Sequence, residues 1–149
     1  MANREILIVE DNPADVRLMR EALKSITPPI NIDVAEDGEQ ALQFLRREGK
    51  YSHAPTPALV FLDFNLPKSS SRDVLRQMKV DEQLRQIAVA VLTTSDVDRD
   101  VREAYALHAN CYLCKPPDLE GFLATIQAAA HFWLNVACLS ADTRPQPVR

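Results

Sequence analysis

Glu10, Asp11, Asp63, Asn65, Thr93 and Lys115 all stand at or just beyond the ends of short apolar runs. ILIV leads into Glu10 and Asp11, LVFL into Asp63 with Asn65 behind it, IAVAVL into Thr93, and CYLC into Lys115. Gathered in one place, these residues would supply three carboxylates, a hydroxyl and an ammonium. Carboxylates packed close together repel, and one would hold a proton unless a cation joined them. An oxygen-rich set with open positions suits Mg²⁺, or Mn²⁺, and leaves room for phosphate oxygens. A lysine and a hydroxyl opposite the metal would complete a clamp for a phosphoryl group. Asp63 then reads as a carboxylate nucleophile held rigidly by a buried strand. Taken singly, Asp11 could be a turn residue, Thr93 a strand-end cap and Lys115 a surface lysine. Their joint placement at strand ends carries the reading.

The elements that would position them alternate. Apolar runs at Ile6–Val9, Leu59–Leu62 and Ile87–Leu92 read as strands buried on both faces, Ile30–Val34 alternates as an edge strand does, and Cys111–Cys114 is brief. Helical patterns lie between them. The first opens at Asn12 with Pro13 at its first position and carries Val16, Met19, Leu23 and Ile26 inward. The second is capped by Asp37 with Gln40 reaching back, and ends at Gly49. The third opens near Ser70 or Ser71, the fourth runs from about Asp98 to His108 with Val101, Ala104 and Tyr105 inward, and the fifth opens at Asp118. Strands alternating with helices imply a doubly wound parallel sheet, and in such sheets ligands bind beyond the carboxyl ends of the strands.

These residues resemble the receiver domain of two-component response regulators. ILIVEDNPAD matches its acidic-pair loop, LDFNLP its phosphoacceptor loop, VLTTS its hydroxyl position and YLCKP its lysine-proline turn, and the match spans nearly the whole chain. The resemblance implies an α/β, flavodoxin-like (βα)5 fold with a five-stranded parallel sheet in the order 2-1-3-4-5. It implies that Asp63 accepts a phosphoryl group from a sensor histidine kinase. Asp11 and Asp63 would bind Mg²⁺ directly, Glu10 through water and Asn65 through its main-chain carbonyl. Lys115 would contact Asp63 and then the phosphoryl oxygens, Thr93 would bond the phosphoryl group, and Tyr112 would swing inward as Thr93 moves. Lys115–Pro116 would be cis. More narrowly, VEDNPADVRLMREALK, LDFNLPK, LTTSD and HFWL are similar to single-domain regulators paired with phytochromes, so the kinase would be a bacterial phytochrome. One departure is Ser71, which stands where the family pattern has glycine and leaves the geometry of the 66–71 loop open.

The apolar helical pattern continues past residue 130. The pattern divides the chain into an expected receiver over 1–130, an apolar extension of the last helix over 131–140 and a tail over 141–149 expected to be disordered. A helix from Asp118 to Leu139 would run roughly 33 Å, overshooting a small sheet. Phe132, Trp133, Leu134 and Val136 make an apolar end that invites a second copy, with folding back on the same domain as the alternative.

Composition bounds the partners. The 149 residues fit one domain, 46% hydrophobic and 26% charged, as in a globular protein. A net charge of -4 gives no reason to expect nucleic acid or an anionic membrane surface, and no apolar run approaches the length of a bilayer span. The start, MANREILIVED, lacks the pattern of a secretory signal, so a cytoplasmic protein is expected. Three glycines exclude a P-loop. His53, His108 and His131 lack metal-ligand spacing, and Cys111-x-x-Cys114 sits inside an apolar strand rather than at a helix start where a thiolate is stabilised.

No output domain is expected, so phosphorylation would act by switching protein contacts with a downstream protein, by changing the oligomer, or by passing the phosphoryl group to a phosphotransfer protein. Such a chain helps its own phosphorylation and dephosphorylation and is not an enzyme with turnover on a separate substrate. Two alternatives differ in class. An aspartate-nucleophile phosphatase carries a second acid two residues after the nucleophile, where Asn65 stands here. A pseudo-receiver that only binds partners would lack Asp63 or Lys115.

Overall fold

In the computed structural model, residues 3–66, 70–94 and 98–139 are described. The expected tail at 141–149 and the middle of the 66–71 loop lie outside them. The strands are β1 (Glu5–Val9), β2 (Asn31–Ala35), β3 (Leu59–Asp63), β4 (Ala88–Thr93) and β5 (Cys111–Cys114). The helices are α1 (Pro13–Leu23), α2 (Gly38–Arg46), α3 (Ser70–Val80), α4 (Asp98–Ala106) and α5 (Leu119–His131). All the strand pairings are parallel and the order is β2-β1-β3-β4-β5. This is the flavodoxin-like arrangement, with the alternating strand β2 at an edge.

Within the central strands the runs 6–9, 59–62 and 88–92 are apolar throughout because each faces a helix layer on both sides. Leu7, Val9, Val60, Leu62, Val89 and Val91 join Phe44, Leu75, Met78 and Ala104 in one core, on the side of α2, α3 and α4. The alternate residues, Ile6, Ile8, Leu59, Phe61, Ala90 and Leu92, join Met19, Leu23, Phe122 and Ile126 in the other, under α1 and α5. Strand alternation thus separates one sheet into two cores.

Asn12 caps α1 as expected, its Oδ1 accepting from the N–H of Ala14 at 2.9 Å. Asp37 caps α2, and Gln40 Oε1 reaches back to Glu36 N rather than to the cap itself. The end of α2 differs from expectation. Arg47, not Gly49, closes it in the left-handed conformation (φ 57), and Gly49 (φ 56) opens a short 3₁₀ turn to Tyr51. A bond from Arg47 Nε to the Ala54 carbonyl, 2.8 Å, holds the arginine there. Tyr105 is not inward: it is 48% exposed, and its hydroxyl accepts the main-chain N–H of Tyr112 on the edge strand β5 at 3.2 Å.

The C-terminal extension is shorter than its periodicity predicts. The last helix continues from α5 into a π-helical turn, Phe132–Val136, and the chain becomes extended at Ala137. Leu134 and Leu139 bury in the α1/α5 core, and Trp133 and Ala137 pack partly against it. Phe132 and Val136 stay 48% and 61% exposed. A polar latch fixes this turn. Arg4 Nη1 donates to Asn135 Oδ1 at 2.7 Å, its other terminal nitrogen donates to the Pro28 carbonyl, and Asn135 Nδ2 donates to the Thr27 carbonyl at 3.2 Å.

Candidate functional site

Glu10 and Asp63 extend the side of their strands that faces α1 and α5, and there the charged groups converge. Carboxylate oxygens of Glu10, Asp11 and Asp63 lie within 4.8 Å of one another, with Glu10 and Asp63 buried and Asp11 exposed. A set of three acids, one of them open to solvent, fits a hard divalent cation that keeps some of its waters. Lys115 enters from the loop after β5. Its Nζ is 3.1 Å from Glu10 Oε2, 3.0 Å from Asp15 Oδ2 and 3.6 Å from Asp63 Oδ2.

The charges explain the protonation of the site. Burial, then the hydrogen bond and the charge of Asp63 beside it, lift the Glu10 carboxyl from 4.5 to about 7, against the opposing pull of Lys115 and the Asn12 N–H. For Lys115, burial would lower the pKa, but the hydrogen bond to Asp15 and the charges of Asp63 and Glu10 outweigh it, so the ammonium is held above its usual value. Glu10 therefore still holds a proton near neutrality, and a metal ion could replace it.

Asp63 is fixed from several sides. Its Oδ1 accepts the N–H of Asn65 at 2.8 Å, and the N–H of Phe64 donates to the Leu92 carbonyl at 2.8 Å. Asn65 is exposed, and its side-chain oxygen accepts from Thr94 N at 3.1 Å, tying the loop after β3 to the loop after β4. The ring of Phe64 lies under the Arg72 guanidinium (4.7 Å), and Arg72 pairs in turn with Glu103 on α4.

Thr93 and Tyr112 belong to the opposite side of the sheet. Thr93 is buried and pairs in register with Cys114, while Tyr112 pairs with Val91 and packs, partly buried, on the α2–α4 core. By alternation the two face the same helix layer as diagonal neighbours.

Two expectations change. Among the described residues the cis peptide is Thr27–Pro28, so Lys115–Pro116 is trans. Trans is the lower-energy isomer for an X–Pro bond, and a bond from Lys115 N to the Thr93 carbonyl at 2.7 Å already aims the lysine. The second concerns the apolar end: of Phe132, Trp133, Leu134 and Val136, Leu134 serves its own core.

Sequence reasoning missed Asp15 altogether, and it singled out Ser71 only as a departure without giving it a contact. Asp15 bonds Lys115 but sits in the first helical turn, where an acid is ordinary. Ser71 is fully buried, and its hydroxyl donates to the main-chain carbonyl of Asp63. Its signal was the absence of the expected glycine.

The family model described as the response regulator receiver domain matches residues 6–127. The chain belongs to the response regulator receiver family. This receiver is 43% identical over 136 residues to the response regulator Rcp1 of Synechocystis sp. (strain ATCC 27184 / PCC 6803 / Kazusa), covering 91% of this chain and 92% of Rcp1. It is 42% identical over 131 residues to the probable methanogenesis regulatory protein FilR2 of Methanothrix harundinacea (strain 6Ac), covering 87% and 83%. Among solved structures, the phosphorylated cyanobacterial phytochrome response regulator RcpA superposes with a TM-score of 0.88 at 42% identity, covering 93% of this receiver and 99% of RcpA. The Mn²⁺-bound form of Rcp1 superposes with a TM-score of 0.86 at 42% identity, covering 91% and 98%.

Proposed function

We propose that this receiver takes a phosphoryl group on Asp63 from the phosphohistidine of a sensor histidine kinase, in a reaction that needs Mg²⁺. The observation that carries this is the convergence of Glu10, Asp11 and Asp63 within 4.8 Å, with the Lys115 ammonium against Glu10 and Asp63. Asp11 and Asp63, with Glu10 and the main chain of Asn65 beside them, would hold the ion, and Mn²⁺ would serve in its place. The metal supplies positive charge to the transferring phosphoryl group. Lys115 neutralises the same oxygens from the other side, and Thr93 receives one of them. Tyr112, on the same sheet face as Thr93, carries the change toward α4.

The kinase is proposed to be a bacterial phytochrome, because the relatives that cover nearly the whole chain include phytochrome response regulators. The setting is cytoplasmic; among the described residues no helix is long and apolar enough to cross a membrane. Output runs through a homodimer, a downstream protein or a phosphotransfer protein. Phe132 and Val136, with the half-buried Trp133, form the exposed apolar face such a dimer would use. The receiver domain of about residues 1–130 and the extension that follows it then act as one unit.

The test is intact mass after incubation with phosphoramidate, with and without Mg²⁺, beside Asp63→Asn. One metal-dependent phosphoryl addition, absent from the variant, is expected. No addition under any condition would leave a binding module.

A further inference from the structure

We propose that Ser71 is a positioning residue for phosphoryl transfer, holding the main chain of Asp63 through its hydroxyl. The inference rests on the reading of Asp63 as the phosphoacceptor. The pairing of β1 with β3 ends at Val9 and Leu62, one residue short of Asp63. On the β4 side, the N–H of Phe64 is bonded to Leu92. The Asp63 carbonyl lies past the end of the β1 ladder, and the Ser71 hydroxyl, from eight residues later and with no solvent exposure, donates to it.

The consequence is geometric. The carboxylate must meet phosphorus in line with the leaving group, and misplacement of a reacting atom by about 1 Å can cost two orders of magnitude in rate. The carboxylate itself is steered by the Asn65 N–H on Oδ1 and by Lys115 near Oδ2. Those contacts set the side chain only if the peptide that carries it stays still. Ser71 fixes that peptide, and because the hydroxyl sits in the first turn of α3, it also ties the phosphoacceptor to the start of that helix. Glycine, which the resemblance places here, has no side chain that could do either.

The experiment compares the native chain with Ser71→Ala, Ser71→Gly and Ser71→Thr. It measures the phosphorylation rate against phosphoramidate concentration at saturating Mg²⁺, and the ¹³C chemical shift of the Asp63 carbonyl. Losing one hydrogen bond of ordinary strength predicts a maximal rate about three- to tenfold lower in the Ala and Gly variants. The half-saturating donor concentration stays unchanged, and the Asp63 carbonyl resonance moves in both. Thr keeps the hydroxyl and restores rate and resonance together. If its added methyl prevents folding, the Ala and Gly pair decides. Phosphorylation of Ala and Gly at the native rate, or an unmoved carbonyl resonance, overturns the inference while leaving Asp63 as the phosphoacceptor. A native chain that takes no phosphoryl group overturns both.

Discussion

Lys115 lies nearer to Asp15 than to Asp63, 3.0 Å against 3.6 Å from Nζ to the closest carboxylate oxygen of each. The lysine is thus shared between the first turn of α1 and the acid at the end of β3.

Replacing Asp15 by Asn should therefore weaken the metal-free fold. The bond is charge-assisted and mostly shielded from water, so a loss of about 1–2 kcal/mol is expected in urea unfolding. The loss should shrink in the phosphorylated protein, where the proposed function gives Lys115 new oxygens to bind. An equal loss in both states would mean that Lys115 does not change partners.

Glu10 makes stability depend on pH. Its folded pKa, about 7, lies above the ordinary 4.5, so between those values the native state holds the proton more tightly than the unfolded chain. This contribution is fully present below about pH 4.5 and is lost as pH rises through 7. Measured without metal, the contribution of Glu10, taken as native minus Glu10→Gln, should decline across that window. Mg²⁺ should oppose the decline by about 2.7 kcal/mol at a hundredfold excess over its dissociation constant, and its binding should strengthen from pH 6 to 8 with proton release. Affinity that is flat with pH would count against Glu10 as the proton holder.

The apolar end of the chain divides into residues that support the domain and residues that face outward. Leu134→Ala should cost about 2–4 kcal/mol in thermal or urea unfolding, because it opens space in the α1/α5 core. Phe132→Ser combined with Val136→Ser should change stability by less than about 1 kcal/mol, yet convert a dimer to a monomer in sedimentation. Retention of the dimer would move the interface elsewhere. Truncation after Ala130 would not separate these effects, since it removes Leu134 and Leu139 from the core.

The fold was legible because its strongest signals are local. Short apolar runs such as Leu59–Leu62, set between helical patterns, read as strands with a helix layer on each face, and the Asn12–Pro13 and Asp37 starts declare themselves by side-chain chemistry. The acids, Thr93 and Lys115 were legible because parallel strands present their carboxyl ends along one edge. What was not legible depends on partners distant in sequence. Asp15 looks like any acid in a first helical turn until Lys115, one hundred residues away, is folded against it. The helix end after Val136 carries neither glycine nor proline; burial of Leu134 and Leu139 and the bond from Arg4 to Asn135 set it. Arg47 in the left-handed region is likewise explained by the Ala54 carbonyl it reaches, not by its own preference.

That contact between Arg4 and Asn135 has a use in protein engineering. It brings the residue before the first strand against the final helical turn, so the entry to the sheet and the last turn of helix adjoin. A unit with adjoining ends can be spliced into a surface loop of another protein, or reopened at a different loop, without prying its sheet apart. The receiver could then be carried as an insert whose host experiences phosphorylation at a single junction rather than at two distant ones.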